Sequence, residues 1–326
     1  MVRVGVPETI GEEWLHLFPV EAEIVRLPGV PQAGTKVEFL VSPLYPKQLK
    51  AIYPQLAGVK VVQALLAGVD WTLAEVRPGG VDSGPVVCDA QGCHNVTTSE
   101  WVLMAILTRM KYVPIYVQLQ AEQDWRSRTR ADAAYQKLHL LNQVTDPPIL
   151  LEELSGKRVL IVGSGSIGRS IEERLAPFEV EIVRVARHAR EGVEPVEKLK
   201  ELLPWADIVV LIVPLTAETT GMIGAEELSQ MKQGALLVNA ARGPVVVTEA
   251  LLEALHAGRI HAAVDVTDPE PLPNGHPLWS APNIFITPHI ASSSPRFMER
   301  PMKLAAQQVK RYINGEPLLN VVTNGY

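Results

Sequence analysis

Residues Val159-Leu160-Ile161-Val162 form a short apolar run that ends in Gly163-Ser164-Gly165-Ser166-Ile167-Gly168, a G-x-G-x-x-G spacing. An uninterrupted run of this kind reads as a parallel strand buried on both faces. The apolar spacing from Ile167 to Phe178 reads as the amphipathic helix that follows it. Gly163 permits the tight turn, Gly165 lets a ligand approach the backbone, and Gly168 lets the helix pack close to the strand. Ser166 and Ile167 open a helix whose free N–H groups and positive dipole end face a pyrophosphate. Strand, glycine turn and helix in this order point to an α/β domain that binds a dinucleotide.

The next strand, Glu181 to Arg187, reaches the place where an NAD site carries Asp or Glu for the ribose 2′-hydroxyl, and that place holds Ala186. Arg187, His188 and Arg190 follow at once. Guanidinium groups make charge-assisted bonds to phosphate, so the loop suits the 2′-phosphate of NADP. NADPH is therefore the expected cofactor, with NAD the second choice.

At 326 residues the chain exceeds one comfortable core, so two domains are expected. A net charge of −6 argues against nucleic-acid partners. Only Cys88 and Cys93 are present, with no paired Cys/His spacing, so neither a disulfide framework nor a metal site is expected, and a reducing cytoplasm fits. No apolar run of membrane-spanning length appears, and because the chain opens directly on a strand, Val2 to Val6, no signal peptide is expected.

Short apolar strands (Val2 to Val6, Glu21 to Leu27, Lys36 to Val41, Lys60 to Leu65, Val86 to Asp89) precede one long apolar-periodic helix, predicted from Thr97 to about Gln120. Strands recur at Arg158, Glu181, Asp207 to Val213, Ala235 to Ala240, His261 to Val266 and Ile284 to Thr287, the pattern of a doubly wound parallel sheet. The last helix, Pro295 to about Tyr312, and the tail from Leu318 are expected to rejoin the first domain. The boundaries are then 99–289 for the Rossmann domain, and 1–98 with 290–326 for a smaller α/β substrate domain. Two crossings between domains imply a hinged cleft that closes substrate away from water. Residues 121–150, with Trp125 to Arg130 and Pro147-Pro148, read as an arm or insertion.

Three strand ends carry reactive side chains: Asn239-Ala240-Ala241-Arg242-Gly243, Asp265 to Pro271 with Glu270, and Thr287-Pro288-His289-Ile290-Ala291. Ligands of open parallel sheets lie outside the carboxyl ends of the strands, so all three can serve one reaction. Reducing a ketone requires a cation for the substrate carboxylate and carbonyl, a proton donor, and a group that keeps the donor charged. Arg242 fits the first task, His289 the second and Glu270 the third. His16, His94, His139, His256 and His261 have no partners at ligand spacing.

These residues give the chain a resemblance to the D-isomer-specific 2-hydroxyacid dehydrogenases, in particular the glyoxylate/hydroxypyruvate reductase branch. It extends to Ala67-Gly68-Val69-Asp70, Asn95 to Glu100, Pro214 to Thr219 and His276-Pro277-Leu278-Trp279. The resemblance implies a Rossmann domain beside a flavodoxin-like substrate domain, and NADPH-preferring reduction of a small 2-oxo acid to the D-2-hydroxy acid. Arg242, Glu270 and His289 are its catalytic residues, and Leu66, Ala67 and Gly68 join Arg242 and His289 at the substrate. Tyr45 is placed beside the substrate side chain with Leu66. The implied cofactor contacts are Val213, Pro214, Thr219, Ala240, Ala241, Ala291 and, at the nicotinamide amide, Asp265.

A homodimer is implied too. Residues 126–154 form a longer stretch than the family leads one to expect, and a subunit-crossing arm would account for it. Two rival readings share the fold: an NAD(P)-sensing scaffold similar to corepressors, and oxidation of phosphite. Oxidation of formate is disfavoured, because Glu270 stands where that branch is expected to carry Gln.

Overall fold

The computed structural model describes residues 1–80, 83–123 and 152–323. The segments Trp125 to Arg130 and Pro147-Pro148, His139 and all but the ends of the expected arm lie outside the described residues. The chain divides into two compact units, Met1–Asn95 with Ser293–Tyr326, and Val96–Ser292.

The first unit carries β1 (Val2–Pro7), β2 (Ala22–Leu27), β3 (Thr35–Lys36), β4 (Phe39–Val41), β5 (Leu56–Ala57), β6 (Val61–Gln63) and β7 (Val86–Cys88). Five of these strands form a parallel sheet in the order β2-β1-β4-β6-β7, and β3 pairs with β5 separately. Side chains alternate across the sheet. Val4, Val6, Phe39 and Val41 pack with Met302, Ala305 and Val309 of the helix Glu299–Ile313, so the C-terminal helix covers one face. Leu40, Val62 and Val87 pack on the other face with Leu49, Ile52 and Val76. Cys88 and Cys93 are buried free thiols. Burial pushes them up to about 12 and about 11, which keeps both protonated and unreactive at neutral pH.

The second unit holds β8 (Arg158–Val162), β9 (Glu181–Ala186), β10 (Glu194–Pro195), β11 (Ile208–Leu211), β12 (Ala235–Asn239), β13 (Ile260–Val264) and β14 (Ile284–Ile286). They make one parallel sheet in the order β10-β9-β8-β11-β12-β13-β14. The strand order reverses between β8 and β11, where a doubly wound sheet opens its ligand crevice. Both faces are dry, as the apolar runs require. Leu160, Val162, Val209, Leu211 and Leu237 point into one core, and Val159, Ile161, Val210 and Val238 into another with Trp101, Val102 and Ile106. Each such side chain contributes about 1.5–3 kcal/mol by leaving water.

The single long helix predicted from Thr97 to about Gln120 is two helices, Asn95–Met110 and Val113–Ala121, bent by 68°. Tyr112 at the break adopts a left-handed φ of 52°, and Pro114 occupies the first turn of the second helix, where its missing N–H costs nothing. Inside one continuous helix Pro114 would have removed a hydrogen bond and clashed with the preceding turn. Among the described residues, no single helix is long and apolar enough to cross a membrane.

Candidate active site

At the exit of β8 the glycines have separate steric reasons. Gly163 has φ +118°, and a Cβ there would lie 2.4 Å from the Ile212 carbonyl oxygen at the end of β11. A Cβ on Gly168 would lie 2.1 Å from the Gly163 carbonyl oxygen, so helix and turn touch backbone to backbone. Gly165 faces open space and precedes the helix Ser166–Leu175, leaving the helix N-terminus accessible to a phosphate. The turn thus fits a dinucleotide: tight where protein meets protein, bare where the ligand would approach.

β9 ends at Ala186, and the basic loop follows beside this turn. The Arg190 guanidinium donates to the Ser164 carbonyl at 2.5 Å, and Arg169 donates to the same oxygen at 3.3 Å. Arg187 pairs with Glu218 at 3.5 Å across exposed surface, and His188 is exposed. The Arg187–Glu218 pair is solvent-screened and easily exchanged for a stronger anion. After β11, Val213 and Pro214 are half-buried, and Thr219 spends its hydroxyl inside its own loop, donating to the Pro214 carbonyl at 2.6 Å and accepting from the Thr216 N–H at 2.8 Å. Thr219 shapes that loop.

Three further strand ends gather the reactive groups. After β12, buried Asn239 accepts from the Ala241 N–H at 3.0 Å and donates to the Arg242 carbonyl at 3.1 Å, which fixes the turn that presents Arg242. Ala240 is half-buried in this turn and Ala241 buried. Residue 243 has to be glycine, since a Cβ there would lie 1.9 Å from the Thr267 carbonyl oxygen. That close approach brings the Arg242 turn against the loop after β13.

Asp265, only 2% exposed, immediately follows β13 and acts on the loop after β14. Its Oδ1 accepts from the Thr287 hydroxyl at 2.5 Å and the Ile290 N–H at 2.8 Å, and its Oδ2 accepts from the Ala291 N–H at 2.7 Å. Its carbonyl accepts from the His289 N–H at 2.7 Å. Asp265, expected to meet a nicotinamide amide, here closes the turn that holds His289 at φ +54°, a left-handed conformation that a non-glycine residue keeps only when its surroundings enforce it.

His289 Nδ1 lies 2.6 Å from Glu270 Oε1, and the two side chains are 45% and 40% exposed. That hydrogen bond holds the imidazole above its ordinary value of 6.5, against partial burial and the nearby Arg242 charge, which pull it down. The same bond holds the Glu270 carboxyl below its ordinary value, opposed by desolvation. With Nδ1 committed to the carboxylate, Nε2 has no hydrogen-bond partner among the described residues and is the nitrogen available to a substrate oxygen. Arg242 is half-buried, and its Nη1 donates to the Ala241 carbonyl at 2.8 Å. It is close enough to act electrostatically on both members of the pair.

A cation, a carboxylate and an imidazole with one committed nitrogen, at the carboxyl edge of a dinucleotide-type sheet, are the groups that a proton transfer would need. Residues 103–291 match the family model of the D-isomer specific 2-hydroxyacid dehydrogenase NAD binding domain. The chain belongs to that family. Its members are NAD(P)-dependent oxidoreductases, and this chain is one of them. It is 44% identical over 171 residues to a glyoxylate reductase of Thermofilum pendens, half of each chain. The structure of the NADPH-dependent glyoxylate/hydroxypyruvate reductase SmGhrA of Sinorhizobium meliloti, in complex with NADP and sulfate, superposes with a TM-score of 0.79 at 25% identity over 99% of both chains. A family member from Xanthobacter autotrophicus, in complex with NADPH and MES, gives 0.74 at 28% over the whole of both.

Leu66, Ala67 and Gly68 belong to the first unit, in the half-buried turn between β6 and the helix Asp70–Val76, and Tyr45 is an exposed residue of the same unit. Asn239 is the positioning residue that sequence reasoning passed over. Its signal was an Asn at a strand end three residues before a candidate Arg, the spacing at which a side chain can bond a turn of its own backbone.

Proposed function

We propose that the protein reduces a small 2-oxo acid of the glyoxylate/hydroxypyruvate class to the D-2-hydroxy acid, with NADPH preferred over NADH. The cofactor, when bound, supplies the hydride that is added to the substrate carbonyl carbon. His289 gives the proton from Nε2 to the carbonyl oxygen as negative charge develops there, so that the C=O becomes CH–OH. Glu270 keeps the imidazole protonated and fixed in orientation. Arg242 binds the substrate carboxylate and polarises the carbonyl, and Leu66, Ala67 and Gly68 supply backbone contacts to the substrate. Asp265 and Asn239 hold the two turns that present His289 and Arg242. The observation that carries this reading is the 2.6 Å bond between His289 Nδ1 and Glu270 Oε1 beside Arg242.

The NADPH preference rests on Ala186 in place of a carboxylate, and on Arg187 and Arg190 beside the phosphate turn. It also agrees with the NADP and NADPH named for the two similar structures. The test is a panel of glyoxylate, hydroxypyruvate, pyruvate and a bulkier 2-oxo acid, each with NADPH and with NADH, followed by the loss of reduced nicotinamide absorbance. Glyoxylate or hydroxypyruvate with NADPH should give the highest kcat/KM, and replacing both arginines by Ala should lower it about tenfold or more with little change for NADH. No turnover with any 2-oxo acid would return the chain to a nucleotide-sensing role. Equal use of NADH would remove the argument from Arg187 and Arg190.

A further inference from the structure

Another cluster of ionised groups in the Val96–Ser292 unit lies at the other end of its strands. Arg109, Glu152, Lys157, Asp207 and Lys232 line a half-open cavity of about 270 Å³. Lys157 immediately precedes β8, Asp207 precedes β11 and Lys232 stands shortly before β12, whereas the glycine turn and Arg242 follow these strands. At about 3.3 Å per residue, a five-residue strand separates the two edges by about 15 Å. The cavity is therefore distinct from the catalytic and dinucleotide sites.

Its charge does not balance. Among the described residues that line it, three cations face two carboxylates, in a chain whose net charge is −6. Both carboxylates are already engaged: Glu152 accepts from Arg109 Nη2 at 3.2 Å and from Lys157 Nζ at 2.8 Å, and Asp207 accepts from Lys232 Nζ at 2.7 Å and from the Arg158 N–H at 2.9 Å. Arg109 is the most constrained of the three cations. Its side chain is only 11% exposed, its guanidinium carbon lies 4.8 Å from the centre of the Tyr112 ring, and its Nε and Nη1 are buried with no hydrogen-bond partner among the described residues. Buried donors left without an acceptor are rare in native proteins and call for a bound water or ion. Arginine has donors only, so the missing partner is an acceptor.

We infer that this cavity binds a small phosphate-type oxyanion, held by Arg109, Lys157 and Lys232. A cation excess over engaged carboxylates selects an anion, and N–H groups without acceptors select oxygen. A cavity just below the usual range for organic ligands selects a small one. Inorganic phosphate and a short phosphate monoester share this chemistry, and the arms of the experiment separate them. The site does not depend on the proposed reaction, and its deciding readout is anion binding, with turnover only a control.

With NADP saturating, so that the dinucleotide turn is filled, titration calorimetry is run with inorganic phosphate and separately with glycerol 3-phosphate. At least one should bind saturably at one per chain, the tighter of the two identifying the source. Arg109→Gln and Lys232→Gln should each weaken that binding about tenfold or more while leaving 2-oxo acid reduction unchanged. Should Arg109→Gln fail to fold, Lys232→Gln decides, together with crystals soaked in selenate, whose anomalous peak is expected between Arg109 and Lys232. Absence of saturable binding by either anion, undiminished binding in the folded variants, or a selenate peak confined to other places would overturn the assignment.

Discussion

Replacing Asp265 by Asn tests whether this carboxylate acts chiefly on the histidine loop. The wild-type oxygens take three donors from outside their own strand: the Thr287 hydroxyl on Oδ1, the Ile290 N–H also on Oδ1, and the Ala291 N–H on Oδ2. An amide oriented to keep Oδ1 in place turns its NH2 toward the Ala291 N–H, donor against donor. One charge-assisted bond is lost and a buried N–H is stranded, which costs about 1–3 kcal/mol, and the two remaining bonds weaken as their acceptor loses its charge. A total near 2–4 kcal/mol is expected, without discount for solvent, because Asp265 is buried. Each 1.4 kcal/mol is tenfold in an equilibrium, so amide exchange of Ile290 and Ala291 should speed up by at least about tenfold. Since His289 hangs from this turn, kcat should fall by about 10²-fold, the scale of a misplacement near 1 Å. The assays are hydrogen exchange of the 284–292 peptide and steady-state reduction on the same preparation. If exchange and kcat both stayed at wild-type values while only cofactor affinity fell, the loop argument would be refuted and Asp265 would belong to the nicotinamide alone.

Glu270→Gln keeps the shape of the histidine pair but removes the charge that holds the imidazole above its ordinary 6.5. Reduction needs the protonated ring, so wild-type kcat/KM should hold below 6.5 and fall as pH rises through the raised His289 pKa, and the variant's falling limb should lie at lower pH; coincident profiles would exclude the coupling. Folding stability carries the same sign: the His289 contribution is fully present below 6.5 and is lost as pH rises through the folded-state value, so urea unfolding of the two proteins should differ more at pH 6 than at pH 9. Gly243→Ala places a methyl 1.9 Å from the Thr267 carbonyl oxygen; the strand ends must part, at a cost of about 1–3 kcal/mol, with kcat falling alongside thermal stability.

The dinucleotide turn was legible because its glycines answer to local sterics: Gly163 and Gly168 meet backbone within a few residues or on the adjacent strand. The parallel sheet was legible because its strands are buried on both faces and read as continuous apolar runs. Arg242, Glu270 and His289 were singled out as residue types at strand ends, and the structure adds the contacts that spacing alone does not contain. Gly243 touching Thr267 draws two loops together, and Asp265 reaches residues 290 and 291 from another strand. The break at Lys111–Tyr112 was missed because the apolar pattern continues through Val113, Ile115, Val117 and Leu119, and only Pro114 marks a new first turn. The surplus positive charge around Arg109 was invisible for a similar reason. Its partners come from positions 152, 157, 207 and 232, and no local pattern joins them.

The central claim is that His289 delivers the proton, and His289→Gln addresses it most directly, measured as kcat for 2-oxo acid reduction and NADPH dissociation constant on one preparation. The account requires kcat to fall by about 10²–10⁴-fold, the usual contribution of a positioned acid, with cofactor affinity within about twofold of wild type. A variant that retained wild-type kcat would contradict it.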